Sequence, residues 1–597
     1  MVLSPTSSTI PAPRPVPTDT TTPLNTWLTS FASFLSAPSE ALTSSLFFSD
    51  GYLRDHLCLS WDFKTAHQLP AIYELLSSRS IKSVTLSSTR PVMILPIDAE
   101  GQVPAITAFL DIATKHGRGE GVLKLLEDGP GEWKAYSLFT VLTELDAYPE
   151  KTLKNRPSGV PHESVPGKVN WADTRKRELE FLDEQPAVIV IGAGQGGLSV
   201  AARLKMMGIP ALVVEQNERV GDNWRNRYRH LVLHDPVQFD HLPYLPFPSF
   251  WPTYTPKDKL ADWLETYADA LELNIWTSSR VSASTWNEAT KSWTVTISRE
   301  GHENRKLQPR HIVLATGATG PPKVPAIVGE HTFKGRCLHS AHFVEAQPHS
   351  GGKKAVVIGS GNSGHDIAQD YYEKGWDVTI VQRGSTCVVS GDALVGTLMK
   401  GLYDEDGPPT DMADLIFHSF PLALLKRNHI LATKVMQVKD RKILDGLRNV
   451  GFALDNGPDD SGLMMKYLQI GGGYYIDVGA STLIGSGAIK HHRISKIVEI
   501  LPNGIKFDNG TLAADEIVFA TGYGGMVTTA KDILGEEALE NVDEVWGFDE
   551  NDEIKGMWKQ ARKGLGLWFM GGNFALTRWG SRAVALGIGA LETELLN

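Results

Sequence analysis

Short apolar runs that end in glycine-rich turns recur along the later two-thirds of the chain. The run at 187–191 leads into one such turn, continues into a helical pattern and returns to the apolar strand ALVVE. The run at 355–358 does the same and returns to DVTIVQR. Each copy later reaches a strand-like segment, HIVLATG (311–317) or EIVFATG (516–522). This order of strand, turn, helix and strand predicts βαβ units, so the repeat predicts an α/β fold with two Rossmann-like domains.

The chain before residue 186 has a different pattern. In residues 23–150 the stretch NTWLTSFASFL has helical spacing, and the runs GVLKLLED and WKAYSLFTVLTEL flank the turn GPGE, which predicts a compact α+β domain. The Pro/Ser/Thr-rich residues 1–22 are expected to form a disordered tail, and the polar residues 151–185 a linker. The stretch 391–470 interrupts the second repeat and is expected to be rich in helix.

Both turns have the spacing G-x-G-x-x-G, made by Gly192, Gly194 and Gly197 in the first copy and by Gly359, Gly361 and Gly364 in the second. In such a turn the first glycine permits the tight bend, the second lets a pyrophosphate approach the backbone, and the third lets the helix pack on the strand. The phosphates then lie at the positive end of the helix. Because each turn has a strand before it and a helix after it, both are predicted to bind a dinucleotide.

The residue that closes the second strand indicates which nucleotide each turn holds. In the first copy it is Glu215, whose carboxylate can accept hydrogen bonds from ribose hydroxyls and would repel a 2′-phosphate. In the second copy the same offset gives the neutral Gln382, followed by Arg383, which suits the 2′-phosphate of NADP. We therefore predict FAD at the first turn and NADPH at the second.

Composition narrows the class of protein. The chain has 597 residues, of which 42% are hydrophobic and 21% charged, and a net charge of −11, which indicates a globular protein of several domains. Neither a nucleic-acid partner nor a transmembrane segment is predicted. Cys58, Cys337 and Cys387 lie far apart, so neither a redox dithiol nor a metal site is predicted, and the low cysteine content favours the reducing cytoplasm.

Four further segments resemble one enzyme family. Phe333, Gly335, His339 and Phe343 match F-x-G-x-x-x-H-x-x-x-F/Y, the identifying sequence of the flavin-containing monooxygenases. GDNWRNRY (221–228), with Asn223 and Trp224, resembles the segment beside FAD in that family, and GLWFMGGNF, with Gly572, resembles the segment that returns to the flavin. HLVLHDPVQFDHLPYLPFPSFWPTY, with His234, resembles the plant YUCCA branch and its fungal relatives.

This resemblance implies an NADPH- and O2-dependent oxidoreductase that oxygenates a small organic substrate through an FAD C4a-hydroperoxide. It implies an FAD-binding domain at 186–329 completed by 523–597, and an NADPH-binding domain at 330–522. The YUCCA-like segments indicate a 2-oxo acid substrate such as indole-3-pyruvate. N- or S-hydroxylation in secondary metabolism is the alternative, and Baeyer–Villiger oxidation is less favoured because Val344 follows Phe343 where that branch has Pro.

Candidate side chains near the junction of flavin and nicotinamide are Asn362, Ser363, His339 and His234, although turn and helix capping explains such residues equally well. The flavin itself does the oxygen chemistry in this family, so no protein nucleophile is assigned. A flavin disulfide reductase has the same plan of two nucleotides but needs a pair of cysteines. A binding protein without activity is the remaining alternative.

The domain at 23–150 resembles a nuclear-transport-factor-2-like cone, on the segment FFSDGYLRDHLCLSWDF. Asp55 and His56 are candidates to line a pocket in it. The plainer interpretation is a docking or dimer-forming domain, through which a homodimer would form. Because the linker is polar and both repeats are complete beyond it, removal of residues 1–160 is expected to leave a foldable flavoprotein.

Overall fold

The structure is a computed structural model that describes residues 11–78, 80–159, 162–163, 166–317 and 320–595. Residues 1–10 of the expected tail lie outside these ranges. Within the tail, the Arg14 N–H donates to the Gln102 carbonyl at 3.0 Å, and the first helix begins at Thr21. A search of the described residues finds no helix long and apolar enough to span a bilayer.

The first part of the chain forms a mixed sheet with three helices. Its elements are α1 (Thr21–Ser36), α2 (Glu40–Leu46), β1 (Phe47–His56), β2 (Phe63–His67), α3 (Leu69–Leu76), β3 (Ile81–Leu86), β4 (Met93–Pro96), β5 (Pro104–Thr114), β6 (Gly117–Gly129) and β7 (Glu132–Leu145). The sheet order is β2-β1-β7-β6-β5-β3, with β4 also on β5. Only the β1–β7 pair of this sheet is parallel. An α+β unit is therefore present at 23–150, while the cone-like fold stays a prediction.

The middle of the chain holds the first glycine turn. Its elements are α4 (Trp171–Leu179), β8 (Val188–Ile191), α5 (Gln195–Met207), β9 (Ala211–Val214), α6 (Asp222–Arg225), α7 (Val237–Asp240), α8 (Lys257–Ala270), β10 (Ile275–Trp276), β11 (Ser279–Asn287), β12 (Ser292–Arg299), β13 (Arg305–Leu307) and β14 (His311–Leu314).

The last part holds the second turn. Its elements are β15 (Arg336–His339), β16 (Lys354–Ile358), α9 (Asn362–Glu373), β17 (Asp377–Gln382), β18 (Cys387–Ser390), α10 (Gly391–Leu394), α11 (Thr410–His418), α12 (Leu422–Lys439), α13 (Arg441–Asn449), α14 (Gly462–Ile470), β19 (Tyr474–Asp477), α15 (Ala480–Gly485), β20 (Lys490–Arg493), β21 (Ile497–Leu501), β22 (Gly504–Phe507), β23 (Gly510–Ala513), β24 (Glu516–Phe519), α16 (Met526–Leu534), β25 (Leu567–Phe569) and α17 (Phe574–Glu592).

The internal repeat is visible in two parallel sheets. The first has the order β10-β9-β8-β14-β25 and the second β15-β24-β16-β17-β20. In each, the strand before the glycine turn lies at the centre, and a three-stranded antiparallel sheet precedes the strand that ends in ATG. The α/β fold class predicted from the repeat is therefore confirmed. The strand β25 returns from the C-terminal segment to complete the first sheet.

The N-terminal sheet packs on the rest of the chain. One continuous hydrophobic core joins Phe34 and Leu138 of the N-terminal part to Val190 and Leu586 of the first parallel sheet and α17. A second cluster joins Phe139 to Leu415 of α11. The helix-rich stretch 391–470 thus lies against the N-terminal sheet as well as the second parallel sheet, and the separate two-stranded sheet of β18 and β19 flanks it in the chain.

Candidate functional site

The first glycine turn is fixed by the packing of its first and third glycines. Gly192 has φ +105°, and a Cβ on it would lie 2.6 Å from the Ala315 carbonyl oxygen. A Cβ on Gly197 would lie 1.9 Å from the Gly192 oxygen. Both positions therefore require glycine for reasons internal to the fold.

The second turn repeats this geometry. Gly359 has φ +122°, and a Cβ on it would lie 2.2 Å from the Ala520 carbonyl oxygen. A Cβ on Gly364 would lie 2.1 Å from the Gly359 oxygen. The strand that ends in ATG supplies the nearby carbonyl in both copies, which explains why that segment accompanies each turn.

The middle glycines differ because the chain itself leaves room beside them. A Cβ on Gly194 would meet only Asn223 Nδ2, at 3.2 Å, and one on Gly361 would meet only the Tyr474 oxygen, at 3.7 Å. Both are N-cap residues, of α5 and α9, with extended backbone angles. Internal packing therefore does not explain a glycine here, whereas the close approach of a pyrophosphate to a helix N-terminus does. The two turns fit dinucleotides.

Glu215 follows β9 and is 6% exposed. Its Oε2 accepts from the Ala193 N–H at 2.7 Å, and its Oε1 accepts from the Asn217 N–H at 2.8 Å. The carboxylate thus ties the first turn to the end of β9. Oε2 has one bond from the protein and a lone pair left for a hydroxyl.

At the end of β17, Gln382 has a different environment from the one expected. Gln382 is fully buried; its amide donates to the Ala453 oxygen at 2.9 Å and accepts from the Ala453 N–H at 2.7 Å. Gln382 therefore links β17 to the loop around Ala453, and its side chain does not lie at the surface of the site. Arg383 is exposed, and no described residue forms a hydrogen bond or ion pair with it. Arg493 of β20 is paired in register with Gln382, one residue from Arg383.

The segment after α6 joins the two turns. The Tyr228 hydroxyl donates to Asp366 Oδ2 of α9 at 2.6 Å, and His234 Nε2 lies 3.9 Å from the same oxygen. Asn362, at the start of α9, accepts from the Ile476 N–H at 3.0 Å through its Oδ1. Ser363 follows it in the first turn of α9, beside Tyr228. These contacts bring His234 and Asn362 to one region, which we call the junction.

The C-terminal segment reaches the junction from the other side. The Asn573 N–H donates to the Tyr467 hydroxyl at 3.0 Å, and Asn573 caps α17. Trp224 stacks on Phe574 with 6.1 Å between ring centroids, and its buried indole nitrogen has no hydrogen-bond partner among the described residues. Gly572 has φ +124°. The resemblance had placed Trp224 and Gly572 beside the flavin, and the structure brings both segments together at the N-terminus of α17.

His339 has a structural environment. Its Nδ1 accepts from the Ala341 N–H at 3.1 Å, and its Nε2 lies 3.2 Å from the Gly522 oxygen. Burial lowers the pKa of this imidazole. The motif residue therefore caps the turn after β15 and links it to β24, which is the capping alternative stated from the sequence.

Two carboxyl groups that sequence reasoning missed lie beside the junction. Burial raises the pKa of Asp235 to about 6 and raises that of Asp240 well above its usual value. Asp240 is 1% exposed, and neither of its carboxyl oxygens has a hydrogen-bond partner among the described residues. The sequence signal was the pair of acids in the otherwise apolar LHDPVQFD.

The cysteines do not form a redox pair. All three are free, and burial raises the pKa of Cys337 to about 11 and of Cys387 to about 12, while Cys58 is raised further. A thiol with so high a pKa is a poor nucleophile at neutral pH. Among the residues that the structure describes, no cluster of His, Cys, Asp and Glu is suited to a metal ion.

Comparisons with known proteins agree with this geometry. The family model described as "Pyridine nucleotide-disulphide oxidoreductase" matches residues 189–395. The chain is 30% identical over 367 residues to indole-3-pyruvate monooxygenase YUCCA1 of Oryza sativa subsp. japonica, covering 60% of this chain and 82% of that protein. It is 31% identical over 340 residues to indole-3-pyruvate monooxygenase YUCCA6 of Arabidopsis thaliana, covering 56% of this chain and 75% of that protein.

A solved structure shares the fold. Cyclohexanone monooxygenase bound to epsilon-caprolactone in its Loose conformation matches with a TM-score of 0.50 at 16% identity, covering 68% of this chain and 88% of that one. With this fold, with both glycine turns and the Phe333–Phe343 motif in place, and with 30% identity across most of the rice protein, the chain belongs to the flavin-containing monooxygenase family.

Proposed function

We propose that this flavin monooxygenase holds FAD at the first glycine turn, in a domain formed by 186–329 and 523–597, and NADPH at the second, in residues 330–522. Both are Rossmann-like domains in this proposal. The observation that carries it is the open space beside Gly194 and Gly361, at the N-termini of two helices whose turns are otherwise closed by their own packing.

FAD, when bound, supplies the redox chemistry with NADPH and O2. The chain supplies binding and orientation. The N-terminal N–H groups of α5 and α9 would hold the two pyrophosphates, Glu215 would hold one ribose, and Arg383 would hold the 2′-phosphate of the other nucleotide. The stacked rings of Trp224 and Phe574, and Tyr467 beside Asn573, would form the aromatic side of the junction.

Three raised thiol pKa values support a reaction that needs no cysteine. A disulfide reductase requires two neighbouring cysteines, and the described cysteines are free. The family description that matches residues 189–395 therefore fits the nucleotide-binding plan of this chain and not a disulfide relay.

The substrate class has two candidates. Relatives named indole-3-pyruvate monooxygenases favour a 2-oxo acid. The buried carboxyl group of Asp240, which has no hydrogen-bond partner among the described residues, favours a substrate with a basic group, which is closer to the N- or S-hydroxylation alternative.

The remaining proposals concern the location of the enzyme, its oligomeric state and the fold of its N-terminal domain. The free cysteines fit the cytoplasm. A homodimer through residues 23–150, and a cone-like fold for them, remain our proposals. Of the two candidates to line a pocket there, His56 lines a small cavity together with Phe63 and Trp579, and it accepts from Trp579 Nε1 at 3.2 Å. Asp55 accepts from Thr140 Oγ1 at 2.6 Å.

Reciprocal variants of the middle glycines test the assignment. We expect Gly194→Val to lose FAD, because its side chain occupies the space left for the pyrophosphate. We expect Gly361→Val to keep FAD but to lose flavin reduction by NADPH. Flavin absorbance of the purified protein and anaerobic stopped-flow reduction measure the two effects.

Gly129→Ala is the matched control, because a Cβ there meets nothing within 4 Å. It should keep both properties. A Gly194→Val protein with full flavin content would contradict the assignment of the first turn.

In the wild type, oxygen from labelled O2 should appear in product and water in equal amounts.

A further inference from the structure

The end of α12 and the start of α13 present one exposed face to solvent. The helix α12 buries Leu425, His429 and Met436, which lie on one side of it. Helical spacing places Lys434 and Val438 on the opposite side, away from the core. We call the following exposed residues the basic face: Lys434, Val435, Val438, Lys439, Arg441 and Lys442.

The lysines of the basic face keep their charge without an anionic partner. Lys439 Nζ donates to the Gly396 carbonyl oxygen and to Thr397 Oγ1, both at 2.9 Å, and neither of these groups is charged. The side chains of Lys434 and Lys442 form no hydrogen bond or ion pair with any described residue. Three ammonium groups are therefore left to interact with whatever lies outside the protein.

The acids around the basic face compensate it only in part. Asp445 lies 4.0 Å from Arg441 Nε and 2.7 Å from Arg448 Nη1, so two arginines share its charge. Asp440, between the two helices, is buried. Asp392 is exposed on α10, which contacts α12. With Arg448, five cations thus lie near two exposed acids, on a chain whose net charge is −11.

Two valines stand among these cations. Val438 is 76% exposed and Val435 is 42% exposed. A β-branched residue is a poor helix former, and an exposed one gains no packing in return. Residues three positions apart are neighbours on a helix surface, so the two valines form an apolar strip beside the lysines.

We propose that the basic face docks the protein on the surface of a bilayer that contains anionic lipid. Clusters of lysine and arginine with apolar residues on one side of a helix are typical of such surfaces. The long cationic side chains reach the headgroup phosphates, while the valines contact the boundary with the acyl chains. A peptide would need a groove or a strand edge, and an exposed helix face offers neither. The proposal does not rest on the monooxygenase function.

The net negative charge of the chain does not prevent this contact. At physiological ionic strength, exposed charges more than about 8 Å apart are largely screened from each other. Acids elsewhere on the protein therefore repel the bilayer weakly, whereas the lysines attract it at short range. Docking should accordingly weaken as the salt concentration rises and as single lysines are removed.

Sedimentation with vesicles tests the proposal on the purified full-length protein without NADPH. We expect binding to vesicles of phosphatidylcholine with phosphatidylserine, little binding to phosphatidylcholine alone, and release by salt. Lys434→Gln combined with Lys442→Gln should weaken binding by about 30-fold, and each single variant by about 5-fold. Val438→Ser should also weaken it, because less apolar surface is buried.

No binding, equal binding to both vesicles, or binding that the lysine variants leave unchanged overturns the proposal. Unchanged binding of Val438→Ser overturns the part given to the valines. Lys82→Gln combined with Lys306→Gln is the matched control, since both lysines are exposed and the net charge changes equally; it should bind like the wild type.

The proposed function is tested separately. Flavin content and anaerobic reduction by NADPH are measured before vesicles are added, and they should be equal in the wild type and in all variants. Their absence from the wild type would contradict the proposed function, whereas normal reduction without binding to anionic vesicles contradicts only the docking surface.

Discussion

At the scale of single residues, we expect the charge at the end of β17 to select the coenzyme. Arg383 was predicted from sequence because it follows a neutral residue at the ribose position, and in the structure its guanidinium is exposed and has no partner among the described residues. Gln382 was predicted only to be neutral, and its complete burial depends on the loop around Ala453, which spacing along the chain cannot reveal.

We expect Arg383→Ala to raise the Michaelis constant for NADPH by about 10- to 100-fold and to change that for NADH little, because the lost bonds are charge-assisted bonds to the 2′-phosphate. Steady-state kinetics with both coenzymes measures this. Arg562→Ala, at an exposed arginine, is the control. An equal increase in the Michaelis constants of both coenzymes would contradict this role of Arg383. Arg493, which pairs in register with Gln382, would then be the next candidate to bind the 2′-phosphate.

Asp240 shows what sequence reasoning missed at this scale. Two acids in an apolar stretch were visible, but the burial of Asp240 depends on α11 and α17, which are distant in the chain and pack on the neighbouring Phe239. The glycine turns were predictable because strand, turn and helix are local, whereas the lining of the junction is assembled from distant segments.

At the scale of elements, the helices that start at the two turns and the strands around them were predicted from apolar runs, and the helix-rich nature of 391–470 from its composition. The packing of the 391–470 helices on the N-terminal sheet was not predicted. Lys124 of β6 donates to Ser419 Oγ at 2.6 Å and lies 3.7 Å from the Phe420 ring centroid, and burial lowers its pKa to about 7. The end of α11 is thus held by the N-terminal sheet.

A buried ion pair makes the same connection. Arg54 of β1 donates to both carboxylate oxygens of Glu553, at 2.7 and 2.6 Å, and to the main-chain oxygens of His418 and Phe420. Glu553 belongs to the segment before β25, so one side chain joins three distant parts of the chain. Burial opposes the charge of Glu553, but Arg54 and His56 hold its pKa down to about 2.

We expect Glu553→Gln to lower the free energy of unfolding by about 3–5 kcal/mol at pH 7, because Arg54 is left buried and unpaired. A carboxyl whose pKa is depressed on folding contributes stability above its unfolded pKa of 4.5, and this is lost as the pH falls through about 2. The deficit of the variant should therefore shrink between pH 4.5 and 2. Denaturant unfolding across that range measures it, with the exposed Glu303→Gln as control; a deficit that is constant with pH would contradict the role of the charge.

At the scale of the whole molecule, the arrangement of the N-terminal unit differs from what the polar linker suggested. Sequence reasoning separated residues 23–150 from the nucleotide domains because turn and linker signals are local. The structure joins them by one hydrophobic core and by the buried ion pair of Arg54. One face of the sheet is covered by α11 and Trp579 of the same chain, so a dimer would have to use another face.

This contact revises the expectation that residues 161–597 fold alone. Removal of residues 1–160 leaves Glu553 without Arg54, and it exposes the apolar side chains of α17 and α11 that now pack against β6 and β7. We expect the shortened chain to be insoluble or free of FAD, because an unpaired buried charge and a large exposed apolar patch both disfavour the folded state. Co-expression with residues 1–160 as a separate chain should restore a soluble, yellow complex, since residues 153–159, which precede the cut, are exposed. Removal of residues 1–10 alone is the control and should leave solubility and flavin content unchanged. A soluble, FAD-loaded protein obtained from residues 161–597 by themselves would show that the N-terminal sheet is an accessory, and the helices of 391–470 would then need no support from it.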